Sequence, residues 1–129
     1  MSPQELYNYY KISKSISTDS RTLKKGDIYF ALKGENFNGN NFAENAIQKG
    51  ASYAVVDDHK ISNPKFLKVK NSLESLQELA KLHRSKLLKT KVIALTGSNG
   101  KTTTKELISE VLKTKFKVCS TYGNLNNHI

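Results

Sequence analysis

Eight consecutive residues constrain this chain more than any others: Thr96-Gly97-Ser98-Asn99-Gly100-Lys101-Thr102-Thr103. An apolar run, KVIALT at residues 91–96, leads into them, and a stretch of helical apolar spacing from Thr102 to about Lys113 leads away. A glycine-rich segment between a strand and a helix is a phosphate loop. Its glycines let backbone N–H groups turn inward on phosphate oxygens, and the helix adds the positive end of its dipole. Lys101 is placed to reach the β- and γ-phosphates of ATP, and the Thr102 hydroxyl to ligate Mg²⁺. The cofactor-binding candidates are therefore Gly97, Ser98, Asn99, Gly100, Lys101, Thr102 and Thr103, with Lys101 as the catalytic candidate and Thr102 as the metal candidate. The usual pattern has one more glycine five residues before Gly100, where this chain has Leu95. A chance Gly-Lys-Thr turn is the competing reading, and the flanking strand and helix argue against it. Such a loop specifies nucleotide binding, not what the phosphate is used for.

The rest of the chain reads as further alternation. Ser2-Pro3-Gln4-Glu5 is a helix start with a Ser cap, Pro at the first position and Glu to close a capping box; the helix runs to about Tyr10, with Leu6 and Tyr9 or Tyr10 inward. DIYFALK, residues 27–33, is a strand after a Lys-Gly turn, and GENFNGNN, residues 34–41, is a loop. Asn41 is placed to cap a helix to about Lys49, which Gly50 ends. Strands follow at residues 52–56 and 66–69, separated by a loop. Ser72 then starts a longer helix with Leu73, Leu76, Leu79, Ala80, His83 and Leu87 on one face. His83 there is a core or boundary histidine, since nothing nearby has metal spacing. A last strand over residues 116–120 puts Cys119 in a core. The fold class is α/β: a small domain at residues 1–88, then, from residue 89 to 129, the first β–phosphate loop–α–β unit of a second, truncated one.

Charge excludes less than it suggests. The net charge of +10 arises from 21 basic against 11 acidic residues, mostly scattered lysines without interleaved aromatics, so no nucleic-acid platform is expected. One acid-free cluster, Lys81, Arg84, Lys86, Lys89 and Lys91, reads as an exposed helix end and linker. No apolar run is long enough for membrane insertion, and the N-terminus lacks the charged-then-apolar order of a secretory signal. A single cysteine fits a reducing, cytoplasmic setting.

Three blocks in order carry a resemblance: Ser17-Thr18-Asp19-Ser20-Arg21 with GDIYFALKG at residues 26–34, the T-G-x-N-G-K-T-T-T loop, and TYGNLNNHI at residues 121–129. Together they cover nearly the whole chain and resemble the Mur ligases of peptidoglycan synthesis. The last block is similar to the T-x-G-N-x-N-N stretch of the branch that adds D-alanyl-D-alanine. The resemblance implies an ATP- and Mg²⁺-dependent amide ligase of the cytoplasm, a monomer when intact. Its implied substrates are UDP-N-acetylmuramoyl tripeptide and D-alanyl-D-alanine, joined through an acyl phosphate. It carries Thr18, Ser20, Arg21, Gly34, Glu35 and Asn36 over to the uridine-nucleotide side, and Asn124, Asn126 and Asn127 to the substrate-facing stretch. His128 is left without a role. By the same resemblance, the first block implies that residues 1–88 are the uridine-nucleotide-binding domain.

A complete ligase of this kind continues through more of its ATPase sheet, with acidic magnesium ligands and an amine-binding domain. The 129 residues alone are therefore expected to be inactive. Three other readings remain open: the neighbouring ligase that adds the third stem residue, a folylpolyglutamate synthase-like ligase, and a non-catalytic nucleotide-binding module. The second lacks the DSR…GDIYFALKG block.

Overall fold

The computed structural model describes residues 1–121. Its contacts divide the chain into two units, Met1–Leu88 and a second beginning at Lys89.

The first unit opens with α1 (Pro3–Ile12), whose start is a full capping box. The Glu5 amide donates to Ser2 Oγ, and the Ser2 amide donates back to Glu5 Oε2 at 2.6 Å. Then come β1 (Ile16–Ser17), β2 (Ile28–Phe30), a short hairpin of β3 (Lys33–Gly34) and β4 (Phe37–Asn38), and a 3₁₀ turn (Gly39–Phe42). They are followed by α2 (Ala43–Gln48), β5 (Tyr53–Val56), β6 (Phe66–Lys68) and α3 (Ser72–Lys86). Four strands make one parallel sheet in the order β1-β2-β5-β6, with Ile28 opposite both Ile16 and Tyr53, and Ala54 opposite Phe66.

Both faces of this sheet are covered, which is why IYFA and AVV are apolar without alternation. Successive side chains point to opposite faces. Ile28, Phe30 and Val55 meet Leu6 and Tyr7 of α1 and Leu79 of α3, while Tyr29, Ala31, Ala54 and Val56 meet Ala43 and Ala46 of α2. Alanines on the second face let the short α2 lie close to the sheet. Each fully buried Ile, Phe or Leu contributes roughly 1.5–3 kcal/mol.

Several expectations shift by a residue or two. The strand expected over residues 27–33 pairs with its neighbours only through Phe30; its last residue, Lys33, instead begins a hairpin that continues through residues 34–38, expected as loop. Asn41 caps nothing. Asn38 caps the 3₁₀ turn by accepting from the Asn40 amide, and Phe42 occupies the cap position of α2. The cap of α3 is Asn71, whose Oδ1 accepts from the Leu73 and Glu74 amides, while Ser72 is buried at the first helical position. In α1 the second fully inward residue is Tyr7; Tyr9 and Tyr10 pack half-buried at its flank. Ala80 of α3 is exposed and Leu82 packs on the core in its place.

In the second unit, α4 (Lys101–Lys113) is the regular element among the described residues. The strands expected over residues 91–96 and 116–120 form no ladder, so Val92 and Ile93 stay 63% and 60% exposed. Cys119 is exposed rather than in a core. Two strand-length segments and one helix form no stable sheet unless further strands lie beside them. No helix among the described residues is long and apolar enough to cross a membrane.

Candidate functional site

Parallel strands send all their carboxyl ends to one edge, and in open α/β sheets ligands bind in the crevice outside that edge. The segments after β1 and β2, neighbours in the sheet, hold the first-unit candidates. After β1, the turn from residue 17 to 22 is organised by Asp19. Its carboxylate accepts from the Arg21 amide at 2.8 Å and from the Arg21 guanidinium through Nε at 3.0 Å and Nη2 at 2.7 Å. The guanidinium hydrogen bonds, and then the amide, hold the Asp19 carboxyl down at about 2. Arg21 itself is exposed with its fork occupied by Asp19, so a ligand phosphate would have to compete for it. Thr18 is half-buried. Ser20 is buried, and its carbonyl accepts from Lys49 Nζ at 2.9 Å.

After β2 the chain rises into the β3–β4 hairpin, whose tip, Gly34 at the end of β3 and the turn Glu35–Asn36, is exposed. Gly34 to Asn36 border a shallow hollow of about 430 Å³ with Lys33, Phe37 and Asn41. Beside it the rings of Phe37 and Phe42 stack at 5.3 Å with 10° between planes. The feet of the hairpin are tightly held. The Gly39 amide donates to the Leu32 carbonyl at 2.8 Å, and Tyr29 Oη, rising from the sheet, donates to the Gly39 carbonyl at 3.1 Å. Burial, and secondarily the charge of Asp19, raises the Tyr29 pKa, so it stays a donor.

Sequence reasoning passed over the residue at the centre of this edge. Asp57, just past β5, pairs with Lys33 Nζ at 2.8 Å and accepts from Asn40 Nδ2 at 2.8 Å and from the Ser72 amide at 3.3 Å. Asn40 is buried with its amide fully engaged: Oδ1 accepts from the Asp57 and Asp58 amides, and Nδ2 also reaches Asn38 Oδ1. The available signal was positional: Asp57 directly follows an apolar run that reads as a strand, where parallel sheets present functional side chains.

The second-unit candidate is the glycine-rich loop at residues 97–103. Gly97 and Gly100 have φ of 149° and 74°, a region that favours glycine. Gly100 is the left-handed N-cap of α4 and brings no capping side chain. The amides of Lys101, Thr102 and Thr103 therefore have no intrahelical acceptor and are free for an anion. Lys101 Nζ donates to the Gly97 carbonyl, folding its charge back over the loop. A Cβ at Gly100 would meet nothing within 4 Å, so the space above the cradle is open. Ser98, Asn99, Thr102 and Thr103 are all exposed around it. No group of three His, Cys, Asp or Glu among the described residues could hold a metal, and the Thr102 hydroxyl is exposed at the first turn of α4. Asn124, Asn126, Asn127 and His128 lie outside the described residues.

Comparison with known proteins bears on both sites. Residues 13–84 match the model of the Mur ligase family, catalytic domain, and residues 95–129 that of the Mur ligase middle domain. UDP-N-acetylmuramoyl-tripeptide–D-alanyl-D-alanine ligase of Bacillus subtilis is 44% identical over 118 residues, covering 88% of this chain and 25% of the relative. The chain thus spans about a quarter of that relative's length. Among solved structures, MurF from Acinetobacter baumannii superposes with a TM-score of 0.81 at 35% identity, over 98% of this chain and 30% of its own. MurF ligase from Thermotoga maritima in complex with ADP gives 0.73 at 34% identity, over 89% and 27%.

Proposed function

The chain belongs to the Mur ligase family, and from that premise we propose that it supplies two parts of a D-alanyl-D-alanine-adding ligase: the UDP-sugar-peptide end and the ATP loop. The substrates are UDP-N-acetylmuramoyl tripeptide and D-alanyl-D-alanine, and the setting is the cytoplasm. The observation that carries the substrate choice is the 44% identity to the Bacillus subtilis enzyme named for that reaction. The Thermotoga maritima neighbour in complex with ADP supports nucleotide binding at the loop.

Bound ATP would supply the phosphoryl group for the tripeptide's terminal carboxylate, leaving ADP, and the amine of D-alanyl-D-alanine would then displace phosphate to form the amide. The residues of this chain prepare for that transfer. The free amides of Lys101, Thr102 and Thr103 take phosphate oxygens at the helix start, where the dipole favours negative charge. Lys101 exchanges the Gly97 carbonyl for a phosphate oxygen and offsets charge that builds up during transfer. Thr102 offers its hydroxyl to the magnesium that accompanies the nucleotide. In the first unit, Thr18, Ser20 and Arg21 line the edge after β1, and Gly34, Glu35 and Asn36 the hairpin turn after β2; both take the uridine nucleotide.

Titration of isotope-labelled chain with UDP-N-acetylmuramoyl tripeptide tests the first site. Amide signals of residues 17–22 and 34–36 are expected to shift; shifts confined to other surfaces would remove the assignment. In the whole ligase, Lys101→Ala is expected to cost on the order of 10²–10³ in rate with the fold retained. Turnover near wild type would sink the loop's assigned role.

A further inference from the structure

We infer that Asp57 is a positioning residue for the substrate hairpin: one carboxylate clamps both feet of residues 33–40 to the carboxyl edge of the sheet and so sets where Glu35 and Asn36 stand. The inference rests on the reading of residues 34–36 as substrate-binding.

Lys33 is the first residue of β3 and Asn40 lies just past β4, so they are the entry and exit of the excursion. Asp57 Oδ1 takes both, Lys33 Nζ at 2.8 Å and Asn40 Nδ2 at 2.8 Å. Its other oxygen accepts from the Ser72 amide at 3.3 Å, which ties the clamp to the start of α3. Asp57 is itself fixed, because its own amide donates to Asn40 Oδ1 at 3.1 Å at the end of a buried strand. A two-residue antiparallel pair cannot hold a hairpin in one place alone. The turn is exposed, so its position comes from its feet. The Lys33 side chain is half exposed while the Asp57 side chain is only 10% exposed, so the pair tethers a surface loop to a nearly buried anchor. Asparagine at position 57 would keep the shape but lose the charge that holds Lys33, and in either orientation would set its N–H₂ group against a donor: the Ser72 amide, or Lys33 and Asn40.

The test is binding of UDP-N-acetylmuramoyl tripeptide to the 129-residue chain, read as Kd alongside thermal melting. The variants are Lys33→Met, Asp57→Asn, the two combined, Lys33→Arg and Asn36→Ala. Lys33→Met and Asp57→Asn are each expected to weaken binding about ten-fold. The double variant should be no weaker than the worse single one, because both break the same clamp. Lys33→Arg should bind within about three-fold of wild type, since a cation still reaches Asp57. Signals of residues 33–41 should move in both single variants while core signals stay. If Asp57→Asn does not fold, Lys33→Met, on a half-exposed side chain, still decides. Well-folded Lys33→Met that binds like wild type, or additive losses in the double variant, overturns the inference. Should Asn36→Ala weaken binding in that same experiment, the substrate-loop reading survives. Should Asn36→Ala also bind like wild type, or the chain ignore the probe, the reading and the inference fall together.

Discussion

Two apolar runs of the same kind meet different fates in this molecule. Ile28, Tyr29 and Phe30 are fully buried in a strand with partners on either side, whereas Val92 and Ile93 are 63% and 60% exposed and carry no ladder. Intrinsic preference does not separate them, since both runs are rich in β-branched or aromatic residues or both. Neighbours do. β2 pairs with β1 and β5 and is covered by helices on both faces, while among the described residues nothing pairs with residues 91–96. The helix of the second unit forms all the same, because its hydrogen bonds are internal, but its apolar Leu107 and Val111 remain 64% and 69% exposed. Local chemistry makes helices and the glycine geometry of the phosphate loop. Sheets need distant chain.

The largest expected contrast is in amide exchange. Amides of β2 and β5 open only with the first unit as a whole, whereas those of α4 are protected by one helix with Ser109 alone fully buried. Protection in β2 and β5 should exceed that in α4 by at least about a thousand-fold. Equal protection would show that the second unit has a core that its exposed side chains deny. Core truncation sharpens the same point. Phe30→Ala should cost about 3–5 kcal/mol in chemical denaturation of the first unit, while Leu107→Ala should stay within about 0.5 kcal/mol.

Glycine substitutions divide the first unit itself. A Cβ at Gly39 would stand 2.6 Å from the Leu32 carbonyl oxygen and 2.8 Å from Ala31 C, both backbone, so nothing can yield cheaply. Gly39→Ala should cost about 1–3 kcal/mol and displace the hairpin feet. Gly34, at the exposed end of the same hairpin, has nothing within 4 Å, and Gly34→Ala should leave melting unchanged. A neutral Gly39→Ala would mean that the hairpin does not sit against Leu32.

How legible each part was follows from the range of its causes. The capping box at Ser2 and Glu5, the left-handed Gly50, and the alternation of strands and helices could be read directly, because each depends on residues a few positions apart. The hairpin at residues 33–38 could not. Its strands are two residues long, and its position is fixed by Asp57, nineteen or more residues beyond its last strand, through contacts that leave no periodic trace. Arg21 was readable as a cation at a sheet edge but not as one already held by Asp19, because that short-range pairing depends on how the turn orients two side chains rather than on their spacing. In the second unit the glycines and Lys101 could be read as a cradle, and the helix after them formed. The flanking apolar runs, also legible, find no pairing partner among the described residues.

The smallest expected effect is the acid response at the carboxyl edge of the first unit's sheet. Burial alone would raise the Asp57 pKa; the hydrogen bonds from Lys33, Asn40 and the Ser72 amide outweigh it and bring the group below its ordinary value. A carboxyl with a depressed folded pKa binds its proton less readily when folded than when unfolded. Its contribution is therefore fully present above the unfolded value of about 4 and is lost as pH falls through the lower folded value. Asp19 adds a response of the same sign at the neighbouring edge, running down to about 2. Between about pH 4 and pH 2 the first unit should lose stability progressively. The part owed to Asp57 should be under about 1 kcal/mol, because Lys33 is half exposed and water screens the pair. Asp57→Asn should flatten part of that acid limb, while leaving the melting of α4, followed by its own amide signals, indifferent to the substitution. Denaturation curves at pH 7, 4 and 2.5 for the two proteins provide the measurement. An Asp57→Asn chain whose stability falls with acid as steeply as wild type would show that the clamp at the hairpin feet owes nothing to the carboxylate's charge.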